Sequence, residues 1–323
     1  MTFKILSTSP SFGYYAPEPL EYLKTNDCEW ELFSQGRKIS QEELIDRIKK
    51  YDAIIVGMEE RITEPVLDVA AKLKIIAKHG AGLDNIDIAA ATRKKIPVVS
   101  APGVNSDAVA DLTFGLFISL ARNIPFADRA VKDGKWPRLV GIQINEKVLG
   151  IIGLGQIGKK VAKRAVGFDM KVLAYDVIKD EAFARKWGVT YCSLEEVLSQ
   201  ADFVSIHIPL NPSSRRLIGE RELRLMKKDS FLVNISRGNI IEEEALYLIL
   251  KEGKIGGAAL DVFSQEPPGE NPLLKLDHLI STPHMGGYTH EALRETGMIC
   301  VRAIVDVLNH RRPQNLINPE VFK

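Results

Sequence analysis

Short runs rich in Ile and Val alternate with stretches of helical period along the whole chain, the pattern of parallel strands covered on both faces by crossover helices. In the first hundred residues the runs predict strands near Phe3 to Leu6, Glu29 to Phe33, Ala53 to Val56, Ile75 to Lys78 and Val98 to Ser100. Helices fill the gaps. Ser40 and Glu43 are spaced as a capping box, and Thr63 with Pro65 marks another helix start. From Lys147 a second series begins, with strands near Val148 to Ile152, Lys171 to Tyr175, Phe203 to Ile208, Phe231 to Ile235, Gly257 to Asp261 and Leu279 to Ser281. Between the two series, Asn105 to Arg122 carries Ala108, Val109, Leu112, Phe114, Leu116, Phe117, Ile118 and Leu120 on nearly all sides of a helix, so it is expected to be buried between two domains. The last long helix, Thr289 to Asn309, is expected to return to the first domain. The fold class is therefore α/β.

Composition narrows the picture. A chain of 323 residues suggests two domains, and 45% apolar with 26% charged residues is ordinary globular composition. With 43 Lys+Arg against 42 Asp+Glu and no long block of one sign, the positive footprint that phosphate-backbone binding needs is missing, and no nucleic-acid partner is expected. Cys28, Cys192 and Cys300 are few, separated and without neighbours at ligand spacing, which suits reduced thiols and predicts no metal site. The first residues hold an apolar run too short for a signal sequence, and no stretch approaches 18 unbroken apolar residues. The expectation is a cytoplasmic protein with no membrane partner.

The strongest local signal is Gly153-Leu154-Gly155-Gln156-Ile157-Gly158, which follows an apolar strand and opens a helical segment. Gly153 permits the tight turn, Gly155 lets backbone approach a pyrophosphate, Gly158 lets helix and strand pack, and the helix start offers free N–H groups. Asp176 stands 18 residues after Gly158 at the next strand end, where a carboxylate accepts from ribose hydroxyls and repels a 2′-phosphate. A Rossmann-type dinucleotide domain with NAD as cofactor follows. Three further polar residues lie just past apolar runs, at the strand ends that face a doubly wound sheet's ligand crevice: Arg237, Glu266 and His284. A guanidinium can hold a carboxylate and polarise an adjacent carbonyl, an imidazole can give a proton near neutrality, and a carboxylate can fix the imidazole's other proton. His207, also at a strand end before Pro209, competes with His284 for the acid–base role on spacing alone.

The motifs Gly80-Ala81-Gly82-Leu83-Asp84-Asn85, Ala101-Pro102-Gly103-Val104-Asn105, the glycine loop, Asn234-Ile235-Ser236-Arg237-Gly238, Asp261 through Glu266-Pro267 and Pro283-His284-Met285-Gly286-Gly287 resemble, in order and over most of the chain, the D-2-hydroxyacid dehydrogenase family on its phosphoglycerate dehydrogenase side. The resemblance implies an NAD-binding domain over 101–287 inserted into a smaller flavodoxin-like substrate domain of residues 1–100 and 288–323. It implies Arg237, Glu266 and His284 as the catalytic set, transferring a hydride between NAD(H) and a small D-2-hydroxy or 2-oxo acid of the 3-phosphoglycerate or the glyoxylate and hydroxypyruvate type. His207, Pro209, Ser236, Asp261 and Gly286 then join the cofactor side, with Asp261 toward the nicotinamide amide, and the N–H groups of Ala81 and Gly82 hold the substrate carboxylate. The segment Ile124 to Val148, with Trp136 and Pro137, resembles an arm through which members form homodimers. Relatives of the same architecture also include formate and phosphite dehydrogenases and NADH-sensing corepressors; Glu266 weighs against formate. One departure stands out. Where phosphoglycerate enzymes carry Arg after the third strand, this chain reads Gly57-Met58-Glu59-Glu60-Arg61, and inward carboxylates there would repel a phosphate. Lys78 and His79 are expected either to compensate or to be solvated.

Overall fold

The computed structural model describes residues 2–33 and 37–322; residues 1, 34–36 and 323 of the predicted domain ranges lie outside the described residues. The chain divides into two compact units, Met1–Asn105 with Gly287–Lys323, and Ser106–Gly286.

In the first unit, β1 (Phe3–Ser7), β2 (Cys28–Leu32), β3 (Ala53–Val56), β4 (Ile75–Lys78) and β5 (Val98–Val99) pair in parallel in the order β2-β1-β3-β4-β5. The central strands β3 and β4 are buried at every position, as expected for a sheet covered on both faces. Leu6, Leu44, Ile54, Val66 and Ile76 pack on one side, and Ile5, Leu23, Ile55, Ile75 and Ile304 on the other. Each such side chain contributes about 1.5–3 kcal/mol of burial. The second layer comes from the far end of the sequence, where the helix His290–Leu308 packs on the helix Glu18–Thr25 and on β4. β5 has only two residues, and Asn318 supplements its pairing by accepting from the Val98 N–H (2.8 Å) and donating to the Ile96 carbonyl (2.9 Å).

The second unit holds seven strands, β6 (Val148–Ile152), β7 (Lys171–Tyr175), β8 (Val189–Tyr191), β9 (Phe203–Ile206), β10 (Phe231–Asn234), β11 (Gly257–Leu260) and β12 (Leu279–Ser281), in the order β12-β11-β10-β9-β6-β7-β8. All pairs are parallel. The winding reverses between β6 and β9, so the crevice of this doubly wound sheet opens where the loops after those strands part. The helix Ser106–Ala121 belongs to this unit and packs on the helix Gln156–Ala165 and on β10 and β11. It is less uniformly apolar than expected. Asp107, Asp111 and Gly115 form an exposed stripe at helical spacing, and both Asp residues pair with Arg164 (3.1 and 2.6 Å).

Other differences from expectation have local causes. β8 is absent from the predicted strands because it has three residues at a sheet edge, below the length at which an apolar run is legible. The predicted strands to Ile208, Ile235 and Asp261 stop earlier, at Ile206, Asn234 and Leu260, where the chain leaves the ladder to build loops. The Ser40 hydroxyl caps Glu43 N–H (3.1 Å), but Glu43 does not complete a box, since its carboxylate goes to Arg37 and Arg47 (2.8 and 3.0 Å). Thr63 occupies the N-cap position without capping by its side chain, and its hydroxyl accepts from Gln41 (2.9 Å).

Candidate active site

Gly153, after β6, has φ +98°, and a Cβ there would lie 2.7 Å from the His207 carbonyl. At Gly158 a Cβ would lie 2.1 Å from the Gly153 carbonyl. Both positions therefore require glycine for close backbone approach. Gly155 has nothing within 4 Å of such a Cβ, so the turn presents bare backbone on the side where the helix Gln156–Ala165 begins. The first-turn N–H groups of that helix, Gln156 and Ile157 included, have no intrahelical acceptor, and no side chain caps them. Asp176 follows β7 and accepts from the Leu154 N–H (2.6 Å) and the Ile178 N–H (2.9 Å), tying the glycine turn to the next strand end.

His207 follows β9. Both ring nitrogens are buried without a partner among the described residues, and desolvation pushes its pKa down to about 3. A neutral imidazole in that state suits the edge of a ligand better than proton transfer, and Pro209 beyond it is exposed. The two orphan nitrogens, the bare glycine turn and the open helix start fit a dinucleotide: Gly153, Gly155, Gln156, Ile157 and Gly158 would hold its phosphates, Asp176 its ribose, and His207 its inner face.

Arg237, Glu266 and His284 gather around the ends of β10, β11 and β12. Asn234, buried at the end of β10, accepts from the Ser236 N–H and hydroxyl (3.1 and 2.8 Å) and donates to the Arg237 carbonyl (2.8 Å). This shapes the turn that carries the guanidinium. Arg237 is half-buried and donates to the Ser236 carbonyl (2.8 Å). At Gly238 a Cβ would lie 1.9 Å from the backbone carbonyl carbon of Phe263, so only glycine lets the Arg237 turn close against the loop that carries Glu266.

Glu266 accepts from the Phe263 N–H (3.0 Å) and from His284 Nδ1 (2.7 Å). Because a carboxylate only accepts, Nδ1 carries the proton and Nε2 is the free end of the ring. Burial alone lifts the Glu266 carboxyl, but the His284 bond and charge, the Phe263 N–H and the charge of Arg237 draw it below the usual carboxylate range. The His284 and Glu266 side chains remain 29% and 38% exposed. His284 itself sits at φ +52°, a left-handed conformation that costs a non-glycine residue on the order of 1 kcal/mol or more. Asp261 holds it there: its carbonyl accepts the His284 N–H (2.8 Å), and its carboxylate accepts from Thr282 (2.6 Å), the Met285 N–H (2.8 Å) and the Gly286 N–H (2.9 Å). Asp261 is 1% exposed, and these bonds make it first the clamp of this turn. A Cβ on Gly286 would lie 3.1 Å from that carboxylate.

The remaining candidates lie in the first unit. Ala81 and Gly82 follow β4 and are half-buried, and their N–H groups donate to no acceptor among the described residues, which leaves a pair of amides able to take a carboxylate. Lys78 and His79 are not solvated, contrary to one expectation: they are 3% and 7% exposed. Nor does His79 offer a charge. Burial, opposed by its contact with the Leu293 carbonyl and reinforced by Lys78, pushes its pKa down to about 4, and its Nδ1 meets the Ser9 hydroxyl at 2.9 Å. Lys78 donates to the Gly57 carbonyl and to Asn85 (2.7 Å). Glu60 is 5% exposed and accepts from Thr8 and from the Gly57 N–H, whereas Glu59 is exposed near Lys38 (3.9 Å). Sequence reasoning gives no role to Thr8, Asn85, Asn234 and Thr282; Thr8, Asn234 and Thr282 each end or follow an apolar strand, which is the one signal that points to them, and Asn85, seven residues past β4, carries none. No group of three His, Cys, Asp or Glu residues gathers as a metal site among the described residues. No single described helix is long and apolar enough to cross a membrane.

Residues 114–286 match the family model described as D-isomer specific 2-hydroxyacid dehydrogenase, NAD binding domain. Over 283 residues the chain is 45% identical to the D-3-phosphoglycerate dehydrogenase of Methanocaldococcus jannaschii, a match covering 87% of this chain and 54% of that protein. It is 40% identical to the glyoxylate reductase of Korarchaeum cryptofilum, covering 91% of each. The chain thus spans about half the length of the first relative and nearly all of the second. The apo-structure of D-lactate dehydrogenase from Escherichia coli matches with a TM-score of 0.88 at 28% identity, covering 98% of this chain and 100% of that one.

Proposed function

The chain belongs to the D-isomer specific 2-hydroxyacid dehydrogenase family of NAD-binding oxidoreductases acting on CH–OH groups, and on that premise we propose that it interconverts a small D-2-hydroxy acid and its 2-oxo acid, of the glyoxylate and hydroxypyruvate type. The observation that carries the reading is the 2.7 Å contact of Glu266 with His284 Nδ1, which leaves Nε2 as the end free to give or take a proton, beside a guanidinium close enough to lower the Glu266 carboxyl. Arg237 holds the substrate carboxylate and polarises the carbonyl at C2. In reduction, the doubly protonated ring of His284 gives its Nε2 proton to the carbonyl oxygen and keeps its Nδ1 proton, which the Glu266 carboxylate accepts as a hydrogen bond while steadying the ring's charge. NADH, when bound, supplies the hydride to C2. Oxidation runs the same transfers backwards. The unbonded amides of Ala81 and Gly82 support a role in holding the carboxylate.

Two coarser proposals accompany this one. The exposed apolar side chains Ile124, Phe126, Val131, Trp136 and Val140, the last two 80% and 94% exposed, support a homodimer formed through this segment, which light scattering tests. The three unpaired thiols support a cytoplasmic location. The function is tested by NADH consumption against glyoxylate, hydroxypyruvate and phosphohydroxypyruvate, repeated with NADPH. Turnover of at least one acid with NADH is expected. Tight NADH binding with negligible reduction of every acid would instead identify a sensor.

A further inference from the structure

The loop after β3 holds a buried charged network that the proton and hydride transfers do not use. Glu60 and Lys78 bracket one residue, Gly57: the carboxylate accepts its N–H and the ammonium donates to its carbonyl. Thr8, from the loop after β1, donates its hydroxyl to the same carboxylate oxygen. Asn85 closes the ring, accepting from Lys78 (2.7 Å) and donating to the Gly57 and Glu60 carbonyls (3.1 and 2.6 Å). These groups sit at the carboxyl ends of β1, β3 and β4, where a doubly wound sheet presents its ligand-facing loops. A second anionic group on a substrate reaching these strand ends would need backbone N–H donors or a cation. The Gly57 amide and the Lys78 ammonium are the buried candidates, and both are engaged inside the protein, next to a buried carboxylate that repels an incoming anion. Nor can a longer side chain at 57 readily supply the missing charge, because a Cβ there would lie 3.1 Å from the Ser9 Cα. Arg61, on the same loop, is exposed.

We propose that Glu60 is a specificity residue that restricts this chain to 2-oxo acids carrying one negative charge, by occupying the strand-end amide beside Lys78 that a phosphate or second carboxylate would require. The inference rests on the reading of the chain as a 2-oxo acid reductase. Replacing Glu60 with Gln keeps an acceptor for the Gly57 N–H but removes the negative charge, so that Lys78 adds net positive charge at the strand ends.

The test compares the purified full chain with its Glu60→Gln variant in two readouts. One is the ratio of kcat/KM for phosphohydroxypyruvate to that for hydroxypyruvate with NADH. The other, independent of turnover, is the change in melting temperature on adding millimolar inorganic phosphate without nucleotide. The wild type favours hydroxypyruvate and its melting is unmoved by phosphate. The variant raises the ratio about tenfold or more, through KM, and gains a phosphate-dependent rise in melting temperature. A wild type that turns over phosphohydroxypyruvate as well as hydroxypyruvate overturns the proposal, as does a variant that leaves both readouts unchanged. Should Glu60→Gln fail to fold, the wild-type ratio still decides, and Glu60→Asp, which keeps the charge, must also be unmoved by phosphate. If no acid is reduced, the reductase reading falls while the melting response still judges Glu60.

Discussion

Two clusters of charged and polar residues occupy strand ends in this protein, one in each unit, and they differ in how completely they are satisfied. Glu266 and His284 are joined by a short hydrogen bond, with Arg237 on the neighbouring strand end, and all three stay partly exposed, with the imidazole Nε2 directed away from that bond. Glu60, Lys78 and His79 are each less than a tenth exposed, and their bonds run to Gly57, Thr8, Asn85 and Ser9. The residue types are nearly the same: a carboxylate, a cation and a histidine. What sets the proposed reactive set apart is a ring nitrogen with hydrogen-bonding capacity to spare, whereas the groups of the first-unit cluster are engaged with one another.

The contrast predicts opposite phenotypes. Arg237→Ala should reduce kcat/KM by about a thousandfold or more, a loss on the order of 4 kcal/mol of transition-state binding, with little change in urea midpoint. Lys78→Met should do the reverse, lowering unfolding free energy by about 3–5 kcal/mol, because it leaves a buried carboxylate uncompensated. If Lys78→Met proves as stable as the wild type, the first-unit cluster is not the closed network described. Glu266→Gln comes next: steady-state kinetics should show kcat down by about a hundredfold, and an unchanged kcat would mean that the 2.7 Å contact does not serve proton transfer. A further difference lies in acid. The pKa of His79 falls from 6.5 to about 4 on folding, so the unfolded chain binds more protons between those values. The buried neutral ring therefore contributes its full share above pH 6.5 and loses on the order of 3 kcal/mol as pH falls to 4. Denaturation at pH 7 and pH 4.5 should show this loss, and His79→Gln should flatten part of it, His207 keeping its own share. The smallest effect concerns the cofactor. Asp176→Ala should raise the ratio of kcat/KM for NADPH over NADH about tenfold, and a ratio that stays put would make Asp176 only a brace for Leu154.

The positions of most strands and the candidates for the reactive set were legible because both follow from runs of adjacent residues: an apolar strand, then a polar residue beyond its end. Arg237, Glu266 and His284 each announce themselves that way, and one hydrogen bond suffices to bring the last two together. The first-unit cluster obeys the same local rule, and yet the sequence leaves Lys78 and His79 open between compensating for a missing Arg and being solvated. His79 is covered by a helix more than two hundred positions later, whose Leu293 carbonyl lies 3.4 Å from its ring, and Lys78 is enclosed by the Gly57 carbonyl and Asn85; no local pattern reports such contacts. Glu60 is similar, since one of the donors that holds it, Thr8, comes from a different strand end 52 positions earlier. Asp261 shows a third case. Its end-of-strand position was evident, but its use as a clamp on a left-handed His284 appears only once the amides of Met285 and Gly286 are seen to converge on it.

The Asn318 clasp on β5 carries a consequence for biosynthesis. The amide of Val98 and the side chain that satisfies it are separated by 220 positions, so on a ribosome moving at about 5–20 residues per second the edge of the first sheet waits roughly ten to forty seconds for its closing partner. The inserted unit is by then fully synthesised and free to fold, while β5 stays an open template for pairing with other nascent chains. Chaperone demand during translation should therefore concentrate on the amino-terminal hundred residues, and premature termination before the last turn should release a chain whose second unit is sound and whose first is not.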